Sequence, residues 1–151
     1  MNWLYNNEII DNISLFPSNT FGFIYKTTHI PTGKSYIGKK VLYHNKKVKL
    51  GKKELALQSG PGRKPTSKTV TQESDWKTYY GSEIEIKKLL SEGKHSEFER
   101  TILQLVGNKK LLTYFELKYQ FKYEVLEHPE KWYNQNILGK FFSKDFLDST
   151  G

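Results

Sequence analysis

Two short runs rich in aromatic and β-branched residues, Phe21-Gly22-Phe23-Ile24-Tyr25-Lys26-Thr27-Thr28 and Lys34-Ser35-Tyr36-Ile37-Gly38, flank the segment His29-Ile30-Pro31-Thr32-Gly33. Runs of this kind on either side of Pro/Gly punctuation form a β-hairpin. The fold must therefore be organised around an antiparallel pair. A turn centred between Ile30 and Pro31 would set Tyr25 directly opposite Tyr36, and opposed residues of an antiparallel pair share one face. Two phenols are thus expected on one surface.

The rest of the chain supplies elements to pack against that pair. Residues 1–20 read as an N-terminal extension that caps the core, with a weak apolar pattern (Ile9, Ile10, Ile13, Leu15, Phe16) closed by Pro17-Ser18-Asn19. Residues 39–75 combine lysines with Gly, Ser and two Pro and read as a long basic loop insertion, with a short extra hairpin around Leu50-Gly51 as an option. Loops of this length in compact domains are functional or disordered; this one is expected to be mobile when free and ordered on nucleic acid. A helix is expected after Gly81, with Ser82 and Glu85 as a capping box and Gly93 as its C-terminal stop. Alternation from Glu97 to Val106, which sets Phe98, Arg100 and Ile102 on one face, reads as a third strand. Leu111 to about Glu127 reads as a helix closed by His128-Pro129, and an aromatic, amide-rich segment runs from Trp132 to Phe142. There is no internal repeat, and 1–151 reads as a single domain.

Charge narrows the partner. The 151 residues hold 24 Lys plus Arg against 16 Asp plus Glu, a net charge of +8. Residues 26–68 contain eleven Lys, Arg63 and one acid, Glu54, so that stretch alone carries +11 and the remainder −3. A basic block beside a near-neutral body is the footprint of a polyanion partner, because neutralised phosphates release condensed counterions. A solvated basic loop is the alternative. With only two Arg, Arg63 and Arg100, point-charge contacts to phosphate are favoured over dense bidentate base readout.

Several chemistries drop out. With no Cys there is no disulfide scaffold, thiolate zinc site or thiol nucleophile, which suits an intracellular protein. The four His never pair at i, i+3 or i+4, so a histidine-rich zinc site has no local support. No Gly-x-x-x-x-Gly-Lys-Ser/Thr phosphate loop or Gly-x-Ser-x-Gly elbow is present. No apolar run nears the roughly 20 residues of a membrane span, and the first residues lack the pattern of a signal peptide. Glu83, Glu85, Glu97 and Glu99 read as solvated charges. Glu116 stands apart, because helical spacing sets it in a stripe with Leu112, Tyr119, Tyr123 and Leu126. A carboxylate beside an apolar face needs a cation or donors to offset its desolvation; otherwise it is an edge residue that pairs with Lys118 or Lys122.

The hairpin runs, with Phe23-Ile24-Tyr25 and Tyr36-Ile37-Gly38 ten residues apart, resemble the signature of the GIY-YIG nuclease family. Asp75-Trp76-Lys77-Thr78-Tyr79-Tyr80-Gly81-Ser82, Phe98-Glu99-Arg100-Thr101-Ile102-Leu103, Tyr114-Phe115-Glu116 and Tyr133-Asn134 extend the likeness from about residue 21 to 142 and resemble a phage-encoded, homing-type branch. The resemblance implies an α+β fold, a small central three-stranded antiparallel sheet flanked by helices, and hydrolysis of phosphodiesters in double-stranded DNA with one divalent metal, Mg²⁺ or Mn²⁺. By position, Glu116 would be the metal ligand, Tyr25 the phenol that activates or positions the attacking water, and Tyr36 its partner. A phenol near pKa 10 acts as a base only if nearby positive charge favours phenolate, a field that Lys39, Lys40 and the metal would supply.

This sequence departs from the family pattern at two places. Phe23 stands where the family has its first Gly, and the family's Arg, often followed by a His four residues on, falls where the basic insertion lies. Lys40, Lys77 and Arg100 are the candidates to hold the scissile phosphate, and Tyr80 stands in for the His. Lys39, Lys46, Lys47, Lys49, Lys52, Lys53, Arg63, Lys64, Lys68 and Asn134 are the candidate DNA contacts. No appended recognition module fits after residue 142, so site recognition falls to the insertion, the extension, the C-terminal segment or a second subunit. Cutting both strands would take a homodimer on DNA or sequential nicking. A phage-encoded enzyme would act in the cytoplasm of its bacterial host. The competing reading is a non-catalytic nucleic-acid-binding module on the same fold.

Overall fold

The computed structural model describes residues 2–147. In chain order its elements are β1 (Trp3–Tyr5), β2 (Glu8–Ile10), β3 (Gly22–His29), β4 (Lys34–Val41), β5 (Tyr43–Lys49), α1 (Lys52–Ala56), β6 (Ser67–Glu73), α2 (Ile84–Ser91), β7 (Phe98–Val106), α3 (Lys109–Lys122), β8 (Asn136–Ile137), β9 (Phe141–Phe142) and α4 (Lys144–Leu147). The chain divides into two compact units, one comprising the segment up to Leu42 together with that from Asp75 onward, the other Tyr43–Ser74. Asp148 to Gly151, the end of the expected tail, lie outside the described residues.

The first unit is a mixed α+β fold on a five-stranded sheet of order β2-β1-β7-β3-β4, not the three-stranded antiparallel sheet expected. The difference comes from the N-terminal extension. Asn6 and Asn7 adopt φ of 51° and 65°, the left-handed pair a two-residue type I′ turn demands. That turn folds β1 against β2, and β1 joins β7 in parallel with Trp3 opposite Arg100. Strands of three residues are too short to display a period, so the extension reads as a cap although it is part of the sheet.

The β3–β4 hairpin forms with a register two residues from the expected one. Gly33, at φ 72°, takes the left-handed position that ends the turn, and its N–H donates to His29 O at 2.7 Å. His29 therefore closes on Lys34, and Tyr25 faces Gly38 while Tyr36 faces Thr27. Because side chains alternate with period two, a two-residue shift leaves both phenols on one face. β3 is central, between β4 and β7, and both its faces are covered. On one side Phe23 and Tyr25 pack with Trp3, Phe16, Trp76 and Ile102; on the other Ile24 packs with Ile37, Leu112 and Leu126. Opposite Tyr25 the β3–β7 ladder slips by one residue, with Ile24 paired to Gln104 and Tyr25 to Ile102. Such a bulge re-aims a side chain locally.

Two helices differ in detail from expectation. Glu83, not Ser82, caps α2: its carboxylate accepts from the N–H groups of Glu85 and Ile86. Gly93, at φ 78°, stops the helix in the Schellman arrangement, with the Lys94 N–H donating to Leu89 O. α3 starts from an Asn108 cap and ends at Lys122, and Glu124 at φ 52° turns the chain away. Leu126 thus reaches the core from beyond the helix rather than along its stripe. Among the described residues no helix is long and apolar enough to cross a membrane.

In the second unit, the stretch read as a loop is an antiparallel ribbon of β5 and β6, from Tyr43 opposite Glu73 to Lys49 opposite Ser67. α1 lies between the strands in sequence, and Glu54 pairs with Lys68 at 2.8 Å. Every residue of β5 is exposed. With neither face buried, no apolar alternation is required, and the strand carries no readable sequence period.

Candidate active site

β4 is the edge of the sheet, and the segment after α3 covers half of it. Ser35 N–H donates to Lys131 O and Tyr133 N–H to Ser35 O, at 2.9 and 2.7 Å. Further along, the Asn134 amide bonds the Ile37 peptide on both sides, accepting from its N–H at 3.1 Å and donating to its C=O at 2.9 Å. Gln120 of α3 donates to the same carbonyl at 3.1 Å. Asn134 and Gln120 are both buried. Their amides are occupied in completing the ladder that the sheet edge leaves open.

Beside this covered edge lies a cleft of about 430 Å³ lined by Tyr36, Lys39, Ser82, Thr113, Glu116 and Gln120 among others. Its walls come from both sides of the sheet. Tyr36 belongs to the face that carries Tyr25, whereas Glu116 sits on α3, which packs against the opposite face. The Glu116 side chain retains 19% exposure, and Lys39 Nζ stands 3.8 Å from its Oε1. Burial pushes the Glu116 carboxyl above the usual carboxylate range, and the Lys39 ammonium and backbone N–H partly offset the rise. Lys39 Nζ also donates to Thr113 Oγ1 at 2.9 Å.

The two phenols differ in access. Tyr25 is 1% exposed, and its hydroxyl occupies a niche that exists because Gly38 and Gly81 lack side chains. A Cβ would fall 2.5 Å from Tyr25 Oη at Gly38 and 3.3 Å from it at Gly81. Desolvation pushes this phenol well above its ordinary range, and Tyr79, which accepts its hydrogen bond, raises it further, as do Tyr36 and Glu116. Tyr36 is likewise raised by burial, but the Ser82 hydroxyl donates to it and pulls the other way. Both are neutral phenols at physiological pH. The lysines expected to favour phenolate are engaged elsewhere: Lys39 as above, and Lys40 on Asp75 at 2.5 Å and over the Tyr79 ring at 4.0 Å.

Of the three candidates for the scissile phosphate, the structure brings none into the cleft. Arg100 is 3% exposed, lies over the Trp3 and Tyr80 rings at 4.6 and 4.0 Å, and donates from Nη1 to Lys77 O and Tyr79 O at 2.8 Å each. Burial lowers its pKa to about 10, and it remains charged. Lys77 is exposed, on the turn that Arg100 holds. Tyr80 is buried beneath Arg100 and against Phe98. The basic residues from Lys46 to Lys68 all belong to the second unit.

The comparison with known families decides what this arrangement belongs to. The family model described as "Putative endonuclease segE, GIY-YIG domain" matches residues 3–137. The chain belongs to the GIY-YIG nuclease family. No curated protein and no solved structure matched it. For this GIY-YIG domain, sequence reasoning passed over Tyr79, Ser82, Thr113 and Gln120. Tyr79 was visible within the Trp76–Ser82 motif, but Ser82 reads as a helix cap, and nothing in the one-dimensional pattern links Thr113 or Gln120 to Ile37 or Lys39.

Proposed function

We propose that this chain is a divalent-metal-dependent DNA endonuclease that hydrolyses phosphodiester bonds, in a homing-like or phage DNA-processing role. The observation that carries the proposal is the meeting of Glu116 and Tyr36 from opposite sides of the sheet in one cleft, with the Tyr25 hydroxyl held behind Gly38. Glu116 is the residue to hold the metal. No group of three or more His, Cys, Asp or Glu comes together among the described residues. A lone half-buried carboxylate with hydroxyl and amide neighbours still fits Mg²⁺, which keeps several waters and takes one or two carboxylates plus phosphate oxygens. Mn²⁺ suits the same oxygen donors. When bound, the ion would polarise the phosphoryl group and stabilise the departing oxygen.

The chain's own groups do the rest. The resemblance gave the attacking water to Tyr25, but that phenol is 1% exposed and does not line the cleft, so the role passes to Tyr36, whose Oη orients the water, steadied by the Ser82 hydroxyl. Tyr25, bonded to Tyr79, holds the floor beneath Gly38 and keeps Tyr36 from swinging inward. Lys39 is the basic side chain lining the cleft among the described residues, and it neutralises charge on a non-bridging phosphate oxygen. Double-strand cutting would use a homodimer on DNA or two successive nicks.

Purified protein incubated with supercoiled plasmid and Mg²⁺ should nick or linearise it, and Glu116→Ala should lose at least about 10²-fold in rate, the scale of one catalytic group. Parent-like cleavage by Glu116→Ala would remove the metal-ligand assignment. One observation favours a second reading. Lys40, Lys77 and Arg100 all lie outside the cleft, as expected of a non-catalytic DNA-binding module on the same fold; salt-sensitive binding without cleavage at any divalent ion would establish that instead.

A further inference from the structure

We propose that the β5–β6 ribbon reads bases in the major groove of duplex DNA, with Asn45 contacting an adenine; this rests on the DNA-endonuclease reading above. Beyond the end pair Tyr43–Glu73, one face of the ribbon carries Asn45, Lys47 and Lys49 on β5, opposite Thr71, Thr69 and Ser67 on β6. Each of these six side chains can form hydrogen bonds, and none is aliphatic. The other face carries Val48 and Val70 between Lys46 and Lys68. The unit Tyr43–Ser74 holds eight Lys and Arg against two Glu. An isolated two-stranded hairpin is at best marginally stable in water, so a ribbon exposed along β5 gains when a partner surface covers it.

The dimensions select the partner. Two paired strands lie about 4.8 Å apart, and seven residues extend roughly 23 Å, about six or seven base pairs at about 3.4 Å each. The major groove of B-DNA, about 12 Å wide, admits such a ribbon, whereas that of A-form RNA is too narrow to be read. Serine and threonine beside Asn45 are short enough to let the backbone approach the groove floor, while Lys46 and Lys68 on the outer face have stems long enough to reach the phosphate rows.

Asn45 is prepared for one base. The Thr71 hydroxyl donates to Asn45 Oδ1 at 3.3 Å, which fixes the amide orientation. Both Nδ2 hydrogens and a second Oδ1 lone pair stay available. That set matches adenine in the major groove, where N7 accepts and the N6 amine donates.

The test selects binding sites from a random duplex library with the full chain in EDTA, then places deaza-adenines in the selected site. Parent protein should select a site containing an adenine at which 7-deazaadenine weakens binding about tenfold, whereas 3-deazaadenine, altered in the minor groove, leaves it unchanged. Asn45→Ala, at an exposed position, should bind the natural site about tenfold more weakly and lose nothing further with 7-deazaadenine. Absence of any selected sequence, an undiminished 7-deaza penalty in Asn45→Ala, or equal affinity for duplex RNA would overturn the proposal. The measurement involves no cleavage. A chain that selects a site but cuts nothing in Mg²⁺ overturns only the endonuclease reading, and one that cuts without selecting a site overturns only this one.

Discussion

Gly38 and Tyr25 face each other across the β3–β4 ladder so closely that a single added carbon on Gly38 would lie 2.5 Å from Tyr25 Oη and 2.8 Å from Cζ. Tyr36 Cε1 would be 3.0 Å from the same carbon. The glycine is needed for room, and the two phenols lie on its empty side with their rings tilted 38° to each other and centroids 6.3 Å apart.

Gly38→Ala should therefore displace both rings at once. Overpacking of this kind costs about 1–3 kcal/mol, and cleavage should fall by about 10²-fold or more. Combining Gly38→Ala with Tyr25→Phe, which deletes the closest atom, should restore part of the stability without restoring activity. Thermal melts and plasmid cleavage on the three variants check this; fully additive losses in Tm would refute the contact.

Glu116 should trade stability for function. Its carboxyl is raised by burial, so folding shifts the group towards the protonated form relative to the unfolded chain. Stability from this group is present below the unfolded-state pKa and is lost as pH rises through the folded-state value. Glu116→Gln should thus melt higher than parent at pH 7, with the gap narrowing towards pH 4, while plasmid cleavage in Mg²⁺ is abolished. A variant that melts lower at pH 7 would contradict the desolvation argument.

Arg100 is expected to behave as a structural cation. Arg100→Met would leave Lys77 O and Tyr79 O without their buried donor, at about 1–3 kcal/mol for each unsatisfied group, and would loosen the turn that carries Tyr79. Its Tm should fall by several degrees. The salt slope of DNA binding by the folded protein should stay at the parent value, whereas a phosphate-binding Arg would reduce that slope by about one unit.

Ser82→Ala should act on Tyr36 alone. Losing the donated hydrogen bond leaves the phenol higher than in the parent, because burial then acts unopposed. Cleavage is expected to drop about tenfold and the alkaline limb of its pH profile to move to higher pH, with Tm nearly unchanged. An unmoved pH profile would separate Ser82 from the reaction.

Neutralising Lys46, Lys47, Lys49, Lys52 and Lys53 to Gln should flatten the dependence of log K on log salt, with each lost phosphate contact changing the slope by about 0.9. The exposed ribbon tolerates these changes, so circular dichroism should match the parent. A slope equal to the parent's would take the second unit out of phosphate binding.

Much of this arrangement could be read along the chain, for local reasons. The aromatic, β-branched runs around Pro31 and Gly33 specify a hairpin, and period-two alternation keeps Tyr25 and Tyr36 on one face even though Gly33 moves the register by two. Alternation in β7 likewise places Phe98, Arg100 and Ile102 together, but alternation says only that they share a face. Whether Arg100 meets phosphate or two backbone carbonyls depends on the turn at residues 76–79, which is distant in sequence. The three-residue strands of the N-terminal extension are too short to impose an apolar period, and the exposed ribbon is too solvated, so the sequence pattern there supports no more than a basic loop with an optional short hairpin.

By itself, the sequence determined the central hairpin, the family and the concentration of positive charge between Lys26 and Lys68, all properties of neighbouring residues. Only the tertiary structure decided which groups share a cleft. Tyr36 leaves β4 on one side of the sheet and Glu116 reaches the same strand from α3 on the other, and they meet because β4 is an edge. The same edge position requires Asn134 and Gln120 to complete the Ile37 peptide. Gly38, in a strand with no turn to make, shows the difference most simply: its identity is set by the Tyr25 hydroxyl thirteen positions away, through a contact that exists only after the strands have paired.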